Sequence, residues 1–192
     1  MAADPEFLPL DKTQCRHSLQ LPLDAPLLGY IGSWSRNRGT DLLLRAFRRV
    51  RNVCPQVRLA LSGRPPAHAI AEPGVIHTGY VADKNLPMLI NALDVACIAT
   101  ANTRFGRYSY PAKLCEAMAC GVPVVATATE PVRWMLHENS RHLAPLNDPA
   151  AFATRVLELL AQPTADYGQR RTWQDVAASL HQMLSDAQIQ RR

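Results

Sequence analysis

Phe105-Gly106-Arg107-Tyr108-Ser109-Tyr110-Pro111-Ala112-Lys113-Leu114-Cys115-Glu116-Ala117-Met118-Ala119-Cys120-Gly121-Val122-Pro123-Val124-Val125 runs from a polar loop through a helix into a short buried strand. Ala112–Cys120 is predicted helical and stops at Gly121, the residue type that closes a helix in a left-handed turn. Val122–Ala126 is strand-like, with Pro123 confined to its start. The free N–H groups at the helix start, about residues 109–112, favour an anion. Lys113, one turn in, adds a point charge suited to a phosphate. Glu116 follows one turn later on the same side, and a carboxylate there can accept two hydroxyl hydrogen bonds from a ribose. The same two residues also read as a plain surface pair, worth about 0.2–0.5 kcal/mol.

Outward from this segment, strand-like and helical stretches alternate. Leu27-Leu28-Gly29-Tyr30-Ile31-Gly32 is continuously apolar, the mark of a strand buried on both faces. After the polar loop Ser33–Gly39, Thr40 or Asp41 is placed to cap a helix. That helix carries Leu43, Leu44, Phe47 and Val50 on one face and Arg45, Arg48 and Arg51 mostly on the other. Val57–Leu61, Val75–Thr78 and Val95–Ala99 are further strands, and Leu86–Leu93 is helical with Pro87 tolerated in its first turn. Helices are also predicted from Asp11 to about Leu19, and over Glu130–His137, Pro149–Ala161 and Thr172–Ala187. This alternation predicts an α/β domain of three layers, a parallel sheet covered on both faces. Ligands of such sheets bind outside the carboxyl ends of the strands, which singles out the loops after Gly32, Ser62, Thr78, Ala99 and Ala126.

Bulk properties fit one globular domain. The 192 residues are 47% hydrophobic and 19% charged, which excludes disorder, and no apolar run reaches the length of a membrane span. A net charge of +5 permits an anionic ligand without requiring one. The arginine face from Arg45 to Arg51 lacks interleaved aromatics, so it reads as a solvated surface and not as a nucleic-acid site. Five cysteines without a CxxC pair argue against a disulfide framework and fit a reducing cytosol, with Cys97 a small core hydrophobe. His17, His68, His77, His137, His142 and His181 are scattered, without metal-ligand spacing. Asp4-Pro5-Glu6-Phe7 is encodable by two adjacent cloning sites, so Met1–Phe7 is read as a vector scar outside the fold.

The wording of the central segment resembles a known family. Glu116 to Val125 is similar, almost letter for letter, to the second half of E-x-F-G-x-x-x-x-E-A-M-A-C-G-x-P-V-V. That is the nucleotide-sugar-binding signature of family 4 glycosyltransferases, the glycosyl transferases group 1 of the GT-B fold. The first glutamate of that signature falls on Tyr108, and Pro111-Ala112-Lys113-Leu114-Cys115-Glu116 resembles the P-x-K-x-x-E variant. Gly29-Tyr30-Ile31-Gly32-Ser33-Trp34-Ser35-Arg36-Asn37-Arg38-Gly39 resembles the family's first strand and loop of this domain. There Ser33 takes the position of a phosphate-gripping arginine and Arg38 that of a lysine, with Arg36 a neighbouring charge. Leu59–Gly63, Ile76-His77-Thr78-Gly79-Tyr80-Val81, Asp94-Val95, Asn147-Asp148-Pro149 and Trp173 with Val176 and Ala177 resemble further segments in the family's order.

The resemblance implies a Rossmann-like C-terminal half of a GT-B fold over residues 8–192, with an N-terminal acceptor domain absent. It implies retaining transfer of a sugar from a UDP- or GDP-sugar to an acceptor hydroxyl of a glycan or lipid-linked sugar, by the full-length enzyme and not by this fragment. The nucleotide sugar is a co-substrate, and without a D-x-D no metal is expected. Catalytic roles fall on Arg38, Lys113 and Glu116. Nucleotide-sugar contacts fall on Gly32, Ser33, Arg38, Tyr80, Val81, Gly106, Tyr108, Ser109, Lys113 and Glu116. The implied location is the cytoplasm, with peripheral contact at the inner membrane face for the full-length protein. Two alternatives stand beside this reading. One is a degenerate, non-catalytic module that docks a partner; the other is a sugar-nucleotide epimerase, which the E-A-M-A-C-G wording disfavours.

Overall fold

A computed structural model describes residues 2–35, 37–168 and 172–189. Along the chain these form α1 (Lys12–Ser18), β1 (Leu27–Tyr30), α2 (Thr40–Val53), β2 (Arg58–Ser62), α3 (Ala67–Ile70), β3 (Val75–Gly79), α4 (Leu86–Asn91), β4 (Val95–Ile98), α5 (Arg104–Tyr108), α6 (Ala112–Ala119), β5 (Val124–Thr127), α7 (Glu130–Met135), β6 (Leu143–Ala144), α8 (Pro149–Ala161) and α9 (Trp173–Ile189). The strands pair in parallel in the order β3-β2-β1-β4-β5-β6. The chain therefore builds outward from β1 in one direction, returns to the middle, and builds outward from β4 in the other.

The inner strands β1, β4 and β5 are buried throughout because both faces are covered, and the pleat divides their residues between two cores. Leu28, Tyr30, Leu59, Leu61, Val95, Cys97 and Val125 pack with Phe47 and Val50 of α2 and Phe152 and Val156 of α8. Leu27, Ala60, Ala96, Ile98, Val124 and Ala126 pack on the opposite face with Leu89, Leu114 and Val132, from α4, α6 and α7. Burial pushes the Cys97 thiol up to about 12, consistent with a core hydrophobe. The cysteines form no disulfide among the described residues.

The helix before β5, α6, ends as expected. Gly121 has φ +67°, the Val122 N–H donates to Ala117 O at 3.0 Å, and the Gly121 N–H donates to Met118 O at 3.0 Å. Together these two bonds satisfy carbonyls that the helix end leaves open. Asp11 also caps as expected, its carboxylate accepting from the Gln14 N–H at 2.7 Å.

Three expectations are corrected and one strand is added. Gly39, with φ +59°, occupies the position before α2 in place of Thr40 or Asp41, because a Cβ there would lie 3.0 Å from the Thr100 carbonyl carbon. Only glycine combines that left-handed turn with so close a backbone approach. Residues 104–108 form α5 in place of a polar loop, because the Thr103 hydroxyl accepts from the Gly106 N–H at 3.0 Å and starts a helix. A two-residue strand, β6, forms beyond β5, too short to show a pattern in sequence. The N-terminal residues are part of the fold: Ala3 and Phe7 are buried in the same cluster as Leu89 and Leu114, and Asp4 accepts from the Trp173 indole N–H at 2.9 Å.

The arginine face of α2 is largely committed within the protein. Arg48 pairs with Glu72 at 2.6 Å, Arg51 donates to Pro73 O at 2.7 Å, and Arg45 donates to Asp41 O at 3.3 Å. No helix among the described residues is long and apolar enough to cross a membrane.

His142 is fully buried beside Tyr167, with ring centroids 5.1 Å apart. Its Nδ1–H donates to Val124 O at 2.9 Å, while Nε2 has no partner among the described residues. Burial holds its pKa below the usual 6.5, against the opposing pull of the Val124 carbonyl. The unfolded chain therefore binds a proton that the folded ring refuses, so His142 makes stability fall as the pH drops below about 6.5. Its share is at most about 1.4 kcal/mol per pH unit. Urea unfolding at pH 7.5 and 5.5 should show this loss, and the difference between the two pH values should shrink in His142→Leu.

Candidate functional site

β1 and β4 are hydrogen-bonded neighbours, yet the chain leaves their carboxyl ends in opposite directions. Loops diverging from parallel neighbours leave a crevice between them. A cavity of about 320 Å³ occupies that place. Gly32, Ser33 and Arg38 line it from the loop after β1, Ala99 and Thr100 from the loop after β4, and Tyr110, Pro111, Ala112 and Lys113 from the start of α6.

Local bonds fix the walls. The Tyr30 ring is buried, its hydroxyl donates to Ser33 O at 3.0 Å, and its ring meets Trp34 edge-on at 5.7 Å. Burial pushes the Tyr30 phenol up to about 12, against the opposing pull of the nearby Arg38 charge. The Ala101 N–H donates to Asn37 O at 3.0 Å and the Thr103 hydroxyl to Asn37 Oδ1 at 2.9 Å, lacing the two loops together. The Thr100 N–H donates to the Thr127 hydroxyl at 2.8 Å, anchoring the β4 loop to β5. Tyr30→Phe is expected to lower stability by about 1 kcal/mol, the usual worth of one such hydrogen bond. A lower denaturant midpoint at unchanged slope would show it.

At the third wall, Pro111 precedes α6 and no side chain caps the helix. The first N–H groups of a helix have no acceptor within it, and here they border the cavity beside Lys113. The Lys113 ammonium donates to both Glu116 oxygens, at 3.0 and 2.7 Å, so the pair foreseen as the plainer reading is formed in the ligand-free chain. Among the described residues Arg38 has no carboxylate partner.

The remaining sequence candidates sit apart. Tyr108 and Ser109 line a separate shallow hollow with Arg104 and Phe105. Gly106 is buried in α5, where a Cβ would overlap the Ala101 carbonyl oxygen. Tyr80 and Val81 follow β3, two strands from β1, and Tyr80 is 80% exposed. Arg36 lies outside the described residues. Tyr30, Thr100 and Tyr110 belong to the cavity but carried no signal of their own, being one aromatic in an apolar run and two residues in a loop.

A larger cavity, about 580 Å³, opens at the amino ends of the strands, lined in part by Lys12, Arg16 and Asp94. Its charges satisfy one another: Asp94 accepts from Lys12 at 2.6 Å, from Arg16 at 2.7 Å and from the Leu27 N–H at 2.7 Å. That arrangement is a structural lock and leaves the smaller cavity as the candidate site.

Residues 25–162 match the profile of the glycosyl transferases group 1. The D-inositol 3-phosphate glycosyltransferase of Stackebrandtia nassauensis is 31% identical, in an alignment covering 98% of this chain and 48% of that protein. The chain thus spans about half the length of such relatives. Sucrose-phosphate synthase from Thermosynechococcus elongatus superposes with a TM-score of 0.77 at 22% identity, over 95% of this chain and 50% of that one. Anabaena HepE, solved in complex with UDP-glucose, superposes with a TM-score of 0.70 at 20% identity, over 86% and 48%. The shared architecture is the GT-B glycosyltransferase fold, seen here as a Rossmann-like α/β unit.

Proposed function

The chain belongs to the glycosyl transferases group 1 family, and from that premise we propose that it is the donor-binding half of a retaining glycosyltransferase acting from a UDP- or GDP-sugar. One observation carries this reading: the cavity at the β1–β4 crossing gathers Gly32, Ser33, Arg38, Lys113 and the uncapped start of α6. Backbone N–H groups and two cations around one small space suit a diphosphate. The binding of UDP-glucose by Anabaena HepE, a protein of the same fold, supports the same ligand class.

The chemical task at this wall is to stabilise the phosphate as it departs from the sugar. Arg38 offers a planar fork to two oxygens, Lys113 a point charge, and the α6 N–H groups fixed dipoles. Glu116, one turn deeper, takes the ribose hydroxyls once Lys113 turns from it to phosphate. The acceptor, a glycan or lipid-linked sugar hydroxyl, is held by the half of the enzyme outside this chain. This chain alone therefore binds donor weakly and turns over essentially nothing. The full-length enzyme works in the cytoplasm, in peripheral contact with the membrane.

A non-catalytic docking module is the second reading, favoured by uncharged Ser33 and by the mutual engagement of Lys113 and Glu116. Amide chemical shifts recorded while UDP or GDP is added separate the two. Donor binding shifts Gly32, Ser33, Arg38, Ala112 and Lys113 and leaves the region around Asp94 unmoved. Saturable shifts centred anywhere else would contradict the proposal.

A further inference from the structure

The diphosphate reading leaves a charge imbalance at the cavity. Its two cations are Arg38 and Lys113, and Lys113 is paired with Glu116 in the ligand-free chain, so the pair leaves the several negative charges of a nucleoside diphosphate incompletely balanced. The tip of β2 sits directly beside this wall. Gly63 has φ +85°, and a Cβ built on it would lie 3.3 Å from the Gly32 carbonyl oxygen. The same tip is clamped from its other side: the Gly63 N–H donates to Gly79 O at 2.8 Å, and Gly63 O accepts from the His77 Nε2–H at 3.1 Å.

Arg64 is the next residue, so its Cα starts about 3.8 Å along the chain from that contact. Pro65 follows and is part of a Pro-Pro pair, which restricts the Arg64 backbone to extended conformations. Arg64 is exposed, and among the described residues it makes no hydrogen bond or ion pair through its side chain, unlike Arg48, Arg133 and Arg155. A long, uncommitted guanidinium thus projects from a rigid strand tip in backbone contact with Gly32.

We propose that Arg64 is a phosphate-binding residue of this site, supplying the cation that lets it prefer a nucleoside diphosphate over a monophosphate. The proposal rests on the donor-site reading above. The guanidinium engages the phosphate remote from the ribose, where its flat fork takes two oxygens at once. A monophosphate places nothing there, so discrimination between the two ligands is the property Arg64 confers.

Calorimetric titration of this chain with UDP, GDP, UMP and GMP tests it, comparing wild type, Arg64→Ala, Arg64→Lys and Arg49→Ala. Arg49 is exposed on α2, so its removal changes the net charge equally without touching the β2 tip. Arg64→Ala is expected to weaken the bound diphosphate about tenfold, as loss of one charged hydrogen-bonding group does. Monophosphate binding should stay near wild type, Arg64→Lys should recover part of the loss, and Arg49→Ala should lose little. Undiminished diphosphate binding by Arg64→Ala, an equal loss for mono- and diphosphate, or an equal loss in Arg49→Ala would overturn the proposal. A folded wild type that binds no diphosphate would overturn the donor-site reading, and this proposal with it.

Discussion

Asp94→Ala is expected to destabilise the fold by about 3 kcal/mol, the cost of stranding a buried cation. Asp94 stands just before β4 and ties two other segments to it: α1, through Lys12 and Arg16, and the start of β1, through the Leu27 N–H. Arg16 is 4% exposed and spends its other donors on the carbonyls of Ala92, Leu23 and Ala25. Without Asp94 that guanidinium remains buried with no counter-charge. For a chain of this length the loss corresponds to a Tm lower by about 6–12 °C. The variant should still bind nucleotide where it is folded, because the lock lies at the amino ends of the strands and the site at their carboxyl ends. Burial acts to raise the Asp94 pKa, but hydrogen bonds from Lys12, the Leu27 N–H and Arg16 outweigh it and hold the carboxyl below its ordinary 3.8. A depressed carboxylate stabilises the fold above its unfolded pKa, and that contribution disappears as the pH falls through the folded value. Wild type should therefore lose an acid-sensitive increment below about pH 4 that Asp94→Ala no longer shows.

Arg38→Ala is expected to weaken nucleoside diphosphate binding by about ten- to a hundredfold while leaving stability near wild type. The residue is held without being spent. Its N–H donates to Ser35 O at 2.9 Å, its neighbour Asn37 is tied to Ala101 and Thr103, and its other neighbour Gly39 packs on Thr100. The backbone is thus fixed against the β4 loop, while the side chain faces the cavity without a carboxylate partner among the described residues. Truncation leaves no buried charge stranded, which is why stability should hold. Arg38→Lys should recover the charge but not the two-oxygen fork. Thermal unfolding and titration on the same preparations separate the two effects.

Much of this architecture was legible in the residues. Continuous apolar strands bounded by glycine turns and amphipathic helices gave the parallel sheet, and Gly121 gave the end of α6, because those signals are local. What stayed hidden depended on distant partners. Gly39 serves as the helix start only because the Thr100 backbone lies against it. The helix at 104–108 depends on one hydroxyl, and β6 exists only as a partner of β5. Phe7 looked dispensable until its neighbours in the core were known. For the site, the spacing of Lys113 and Glu116 allowed both a ligand role and a mutual ion pair, and sequence has no means of weighing a 2.7 Å contact. Gly32, Ser33, Arg38 and Lys113 do converge on one cavity. Tyr80 and Val81 do not line it because their loop leaves β3, and Tyr108 and Ser109 do not because α5 turns them into a separate hollow with Arg104 and Phe105.

The central claim is that the β1–β4 cavity holds the nucleotide of a sugar donor. Calorimetric titration of this chain with UDP, GDP and ADP, repeated on Arg38→Ala and Glu116→Ala, addresses it most directly. The account predicts saturable binding of one diphosphate, weakened in both variants, with Glu116→Ala losing less against a nucleotide that lacks ribose hydroxyls. A folded wild type that binds none of the three, or an Arg38→Ala variant that binds as tightly as wild type, would contradict it.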